Sequence, residues 1–402
     1  MLTSSVSPVC AGLTMLLAGV LCTLTGCSTP RRADLHPGAP LAAQSGSEGF
    51  GRAGQEIMVA GQLFHVGAPV VLWTDPGGYD AYRVENRFGP LGRSSWESLK
   101  ASNRDPARYS PRFFRISDKQ PAAYHGAGQL SDTEISKYRG GGWDLPGLQR
   151  VVDQFVLHYD VCGVSKQCFR ILHDVRGLSV HFMIDIDGTI YQTLDLKERA
   201  FHATTSNDRS VGVEIANMGA YADGERSPLA QWYTTDARGG VRITIPETLG
   251  DGGVRTANFV GRPIRPEPVR GVVQGKERTQ YDLTPEQYDS LIRLTAALCT
   301  IFPNMPADYP RGPDGQVVPH VLDDSDLRTF RGVIGHYHIQ SDKADPGPAL
   351  QWELVVTKAR ELMPEAARGP RLPLIISGDE PPAAVPATPV APAPTSTPAP
   401  TN

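Results

Sequence analysis

The chain has 402 residues, 40% hydrophobic and 20% charged, with 39 Lys and Arg against 43 Asp and Glu for a formal net charge of −4. At about 100–200 residues per domain, two or three folded units are expected, and neither a coiled coil nor a wholly disordered chain fits the composition. Near-balanced charge without a long Lys/Arg run lacks the electrostatic footprint of nucleic-acid binding, so DNA and RNA are excluded as partners.

The first 26 residues carry no charge. Their apolar stretch is short for a membrane span, which needs roughly 20 apolar residues, so they read as an export signal. Leu24-Thr25-Gly26-Cys27 resembles the lipobox of bacterial lipoproteins. That resemblance implies a mature chain that begins at a lipidated Cys27 and is held to a membrane by acyl chains. Ser28 after the cysteine points to the outer membrane of a Gram-negative cell envelope, facing the periplasm. In such an oxidising compartment Cys162 and Cys168, with five residues between them, are expected to persist as a disulfide. Residues 27–54 are rich in Ala, Gly, Ser and Pro, the composition of a flexible linker. Residues 55–145 form an accessory region of unassigned role, opening between 55 and 82 with β-branched runs broken by Gly and Pro, like short strands with turns. From 366 to 402 the chain is a Pro/Ala/Thr-rich tail, in which 8 of the 22 residues from Pro381 onward are proline. It cannot bury a core and is expected to be disordered.

Between 146 and 365 the signals are stronger. Phe155 to Tyr159 fits a buried strand, and Ser165 to Val175 repeats Phe169, Leu172 and Val175 at helical spacing. HFMIDIDGTIYQTLD is two alternating runs joined by Asp187-Gly188, a hairpin signal. SVGVEIAN is another strand. Thr284-Pro285-Glu286-Gln287 opens a helix with a cap, a first-position proline and a capping-box glutamine; Tyr288, Leu291, Ile292, Thr295, Leu298 and Cys299 line its inner face. Cys299 is therefore expected to be a buried thiol. A strand at Val333–His336, a Pro/Gly loop and a closing helix burying Trp352, Val355, Val356, Ala359 and Leu362 follow. The order predicts an α/β fold with a central mixed β-sheet flanked by helices. The conformation of the Gly/Pro-rich insertion between Asn217 and Tyr281 is not legible from its pattern; its position predicts that it borders the substrate groove.

His158 and His336 end two apolar strands and Asp345 lies beyond a turn, three residues able to hold a zinc ion while leaving a position open. With these residues the chain resembles the zinc-dependent N-acetylmuramoyl-L-alanine amidases of the type-2 family, which share their fold with the peptidoglycan recognition proteins. The matching segments are FVLHYD, HFMIDIDGTIYQ, RAFHA, SVGVEIAN and GHYHIQSDKADPGP, and the resemblance spans about 200 residues. It implies hydrolysis of the amide between N-acetylmuramic acid and L-alanine in peptidoglycan or muropeptides.

Position by position, the resemblance implies one Zn²⁺ on His158, His336 and Asp345, Glu214 as the catalytic glutamate and Lys343 as stabiliser of the oxyanion. The Gly335-His336 pairing favours His336 over His338. On the SVGVEIAN strand, Glu214 shares a face with Gly212 and Ala216, which leaves room for substrate above it. His181 stands where many relatives carry a catalytic tyrosine and is expected to contact substrate; His202 and Asn207 match groove-lining positions. The recognition proteins also carry a short disulfide just after the first ligand, matching Cys162 and Cys168. The competing expectation is a non-catalytic peptidoglycan-binding lipoprotein that keeps this fold without turnover.

Overall fold

The computed structural model describes residues 35–41, 52–82, 131–139 and 142–375. The export signal, Cys27 and the tail beyond residue 375 lie outside the described residues. In chain order the strands are β1 (Glu56–Val59), β2 (Gln62–His65), β3 (Val70–Leu72), β4 (Gln154–Tyr159), β5 (Phe182–Ile184), β6 (Ile190–Gln192), β7 (Ser210–Ile215), β8 (Tyr233–Thr235), β9 (Val241–Ile243), β10 (Val269–Val273), β11 (Lys276–Gln280) and β12 (Gly332–Gly335). The α-helices are α1 (Asp132–Arg139), α2 (Leu145–Val151), α3 (Ser165–Phe169), α4 (Leu229–Trp232), α5 (Pro285–Ile301), α6 (Asp324–Thr329) and α7 (Trp352–Leu362).

Six strands form one mixed sheet in the order β12-β4-β7-β5-β6-β3. β12, β4, β7 and β5 are parallel neighbours, β6 turns back antiparallel through the expected hairpin, and β3 adds a parallel edge. Parallel strands covered on both faces read as near-continuous apolar runs. β4 and β7 do so, and pleating sorts their residues: Phe155, Leu157, Val211 and Val213 enter one core with α5 and α7. Val156 faces the other side. Burying each such side chain stabilises by about 1.5–3 kcal/mol, so the inner strands form a stiff platform.

α5 starts as its sequence predicts. The Thr284 side chain accepts the Gln287 N–H at 3.1 Å and the Gln287 side chain accepts the Thr284 N–H at 3.0 Å. Cys299 is a buried thiol whose pKa desolvation pushes up to about 12. α7 buries Trp352, Val355, Val356 and Ala359, while Leu362 is only partly buried. The insertion folds into α4 and two antiparallel hairpins, β8-β9 and β10-β11. The 165–175 segment is α3 continued by a π-helical stretch, Arg170–Val175.

Two expectations are corrected. β12 ends at Gly335, and His336–His338 is a 3₁₀ turn, so the two histidines diverge. The His338 ring turns into the core, where Nδ1 accepts the Gly335 N–H and Nε2 donates to the Val318 carbonyl. Cys162 and Cys168 are free thiols, not a disulfide. The Asp160 carboxylate accepts the N–H groups of Cys162 and Gly163 and fixes the loop. Cys168 is buried on α3, and its sulfur lies within 4.8 Å of the Cys162 sulfur.

Candidate active site

A parallel sheet gathers side chains at the carboxyl ends of its strands, outside the last ladder bonds. His158 is the fifth residue of β4, Glu214 the fifth of β7, and the two are register partners, so they project from the same face. His336 follows the last residue of β12 directly. Asp345 is brought back to it by a loop whose carbonyl, at Asp345, accepts the Tyr337 N–H at 3.0 Å. The loop can lie this close because Gly335 has no side chain; a Cβ there would meet Pro346 Cδ at 2.7 Å.

His158 Nδ1 and His336 Nδ1 are 3.0 Å apart, and they lie 2.8 Å and 2.9 Å from the same oxygen, Asp345 Oδ2. No distribution of protons makes all three contacts hydrogen bonds, because a ring nitrogen that holds a proton has no lone pair left to accept with. Three lone pairs aimed at one point suit a cation, and two imidazoles with one carboxylate are the donor set of a catalytic zinc site with one position open. Histidine ligands are oriented by what binds the second ring nitrogen. His336 Nε2 meets Gln340 Oε1 at 2.8 Å, an acceptor that places the proton on Nε2 and frees Nδ1.

Burial, then the neighbouring His336, lowers the His158 pKa to about 4, keeping the ring neutral. Burial would raise Asp345, but the imidazoles of His336 and His158 overrule it and hold the carboxyl below its usual range. Glu214 moves the other way: burial first, then the charges of Asp345 and Asp160, push it well above an ordinary glutamate. Its Oε2 is buried without a hydrogen-bond partner among the described residues.

His158, Glu214, His336, Asp345 and Lys343 all line one cavity of about 230 Å³. The Lys343 ammonium pairs with Asp342 at 3.2 Å. Ile171, Leu172, Leu178 and Phe201 add an apolar wall to the cavity.

Two expected substrate contacts are corrected. His181 is fully buried and does not line the cavity: Nδ1 accepts the Gly212 N–H at 3.1 Å and Nε2 donates to the Glu198 carbonyl at 3.0 Å. Asn207 caps a turn, Oδ1 accepting the N–H groups of His202 at 3.0 Å and Ala203 at 2.7 Å. His202 does line the cavity, and it also touches His158 Nε2 at 3.0 Å.

Sequence reasoning missed Gln340, Arg176 and Asp160. Arg176 is exposed on the cavity wall, where its charge lowers the Glu214 pKa against burial. Asp160 Oδ2 is buried without a partner among the described residues, and desolvation raises its carboxyl to about 7 against the backbone N–H groups of Cys162, Gly163 and Asn217 that Oδ1 accepts. Asp160 also groups with Cys162 and Cys168 as a second set of convergent ligand atoms.

Residues 148–348 match the family model described as N-acetylmuramoyl-L-alanine amidase. Among solved structures, the chain is similar to the endolysin N-acetylmuramoyl-L-alanine amidase LysCS from Clostridium intestinale, at 17% identity over 52% of this chain and 85% of that one, with a TM-score of 0.26. It is also similar to E. coli AmiD, solved with anhydro-N-acetylmuramic acid-L-Ala-D-γ-Glu-L-Lys, at 16% identity over 52% of this chain and 57% of that one, TM-score 0.30. A selenomethionine derivative of AmpD matches at 17% identity over 54% and 87% of the two chains, TM-score 0.25. No curated protein matches.

Proposed function

The chain belongs to the N-acetylmuramoyl-L-alanine amidase family and is an enzyme of that activity, and from this premise we propose how its residues carry out the reaction, on what substrate and where. The substrate class is peptidoglycan or its muropeptide fragments. The site takes one Zn²⁺, held by His158, His336 and Asp345. The observation that carries this reading is the convergence of those three donor atoms within 3.0 Å of one another, on the same sheet face as an orphaned Glu214 carboxyl.

When bound, the ion supplies Lewis acidity, which makes water more acidic and a carbonyl more electrophilic. Glu214 Oε2 takes the proton from the attacking water and returns it to the departing amide nitrogen of L-alanine. A carboxyl raised by burial is suited to both halves of that exchange, because its pKa lies nearer the operating pH. The Lys343 ammonium faces the negative charge that develops on the carbonyl oxygen. The lipid on Cys27 anchors the enzyme to the membrane, and its place is the cell envelope, at the outer membrane facing the periplasm.

Digestion of purified sacculi by residues 28–402 tests the reading. Mass spectrometry should find stem peptides with free L-alanine amino termini and no new reducing sugars. A protein that binds zinc yet releases no peptide would be a recognition module instead.

A further inference from the structure

On β7 the residues sharing the cavity face are Ser210, Gly212 and Glu214, spaced two apart. The first two form a seat behind His158. A Cβ on Gly212 would lie 2.5 Å from both Cε1 and Nδ1 of His202, closer than any real contact, so the His202 ring fills the space a side chain would take. Seated there, its Nδ1 is 3.0 Å from His158 Nε2 and its Nε2 is 3.2 Å from Ser210 Oγ. Asn207 holds the His202 backbone through the two bonds described above.

We propose that His202 is a positioning residue: it keeps His158 in the tautomer that offers Nδ1 to the metal. In a row of three groups linked by single protons, the hydrogen bonds all run one way or all the other. Run forward, His158 Nε2–H donates to His202 Nδ1 and His202 Nε2–H donates to Ser210 Oγ, leaving His158 Nδ1 with a free lone pair. Run backward, from the serine hydroxyl, the row puts the proton on His158 Nδ1, where it faces Asp345 Oδ2 at 2.8 Å and closes the site to a cation. The forward row needs an acceptor at His202 Nδ1, and without it the metal-ready tautomer buries an unpaired N–H. His336 has its own acceptor in Gln340, so the two imidazoles are oriented by independent devices.

This inference rests on the metal reading above, and the experiment separates the two. Zn²⁺ affinity is measured by competition with a chromophoric chelator for the wild type, His202→Leu and His202→Gln, with the unfolding midpoint of each metal-free protein as a check on folding. Loss of such an orienting partner weakens metal binding by roughly 10–100-fold, and that is the loss expected for leucine. Glutamine can accept from His158 and donate to Ser210, so it should recover affinity to within about threefold, and the visible spectrum of its Co²⁺ form should match the wild type. Should leucine fail to fold, Gly212→Ala, which drives the ring off its seat, is expected to show the same loss. Affinity unchanged in His202→Leu, or in Gly212→Ala where leucine fails, overturns the inference, as does an equal loss in Gln and Leu. A wild type that binds no Zn²⁺ overturns the metal reading itself.

Discussion

β12, β4 and β7 begin and end in opposite chemistry. At their amino ends stand Arg331, Asp153 and Arg209, and at their carboxyl ends His336, His158 and Glu214. Both Asp153 and Glu214 are buried, Asp153 completely and Glu214 with 9% exposure. Arg209 Nε donates to Asp153 Oδ1 at 2.5 Å, while its terminal nitrogens donate to the carbonyls of Arg328 at 2.9 Å and Phe330 at 3.0 Å. That charge pair is complete in itself. At the other end two ring nitrogens are forced together and a carboxyl oxygen has no donor. Burial is therefore common to both carboxyls and marks nothing; what separates them is that both Asp153 oxygens are hydrogen-bonded whereas Glu214 Oε2 has no partner among the described residues.

Substitutions at the two ends should separate cleanly. The largest effect is expected from His158→Ala, which should lose the metal and turnover together, read by metal analysis and by the peptide-release assay. Glu214→Gln should lower turnover by roughly 10²–10⁴-fold while keeping the metal and the unfolding midpoint; a variant that unfolds instead would erase the contrast. At the opposite end, Arg209→Met removes the hydrogen bonds to buried Asp153 and leaves it only the longer ion pair with Arg331 at 3.8 Å, a loss of about 3–5 kcal/mol in denaturant unfolding. Metal content and turnover per folded molecule should not change.

The smallest effect sharpens the rule with a third buried carboxyl. Desolvation, then the Asp187 charge, raises Asp185 to about 7, and its Oδ2 has no partner among the described residues although Oδ1 accepts two backbone N–H groups. The folded chain thus holds this proton more tightly than the unfolded chain does. Its contribution to stability is full below about pH 4 and is lost as pH rises through about 7. Asp185→Asn keeps the accepting oxygen and should flatten that slope in metal-free protein; an unchanged slope would mean the carboxyl is ionised in the fold.

Much of the scaffold was legible because its signals are local. The cap and periodicity of α5, the Asp187-Gly188 hairpin and the apolar runs of β4 and β7 each lie within a few consecutive residues. His158, Glu214, His336, Lys343 and Asp345, singled out from strand-end positions and the resemblance, come together in one cavity. Of the histidines beside them, His202 was legible as a cavity-lining residue and His181 was not. What makes His181 a brace is a backbone N–H on β7 and a carbonyl at Glu198, neither visible from its own neighbourhood. Gln340 follows His336 by four residues, but only the 3₁₀ turn brings its amide round to the ring.

A crystal grown with Zn²⁺ and measured at the zinc absorption edge tests the central claim most directly. The account predicts one anomalous peak about 2.0–2.2 Å from His158 Nδ1, His336 Nδ1 and an Asp345 oxygen. A crystal without that peak, or with density only among Asp160, Cys162 and Cys168, would contradict it.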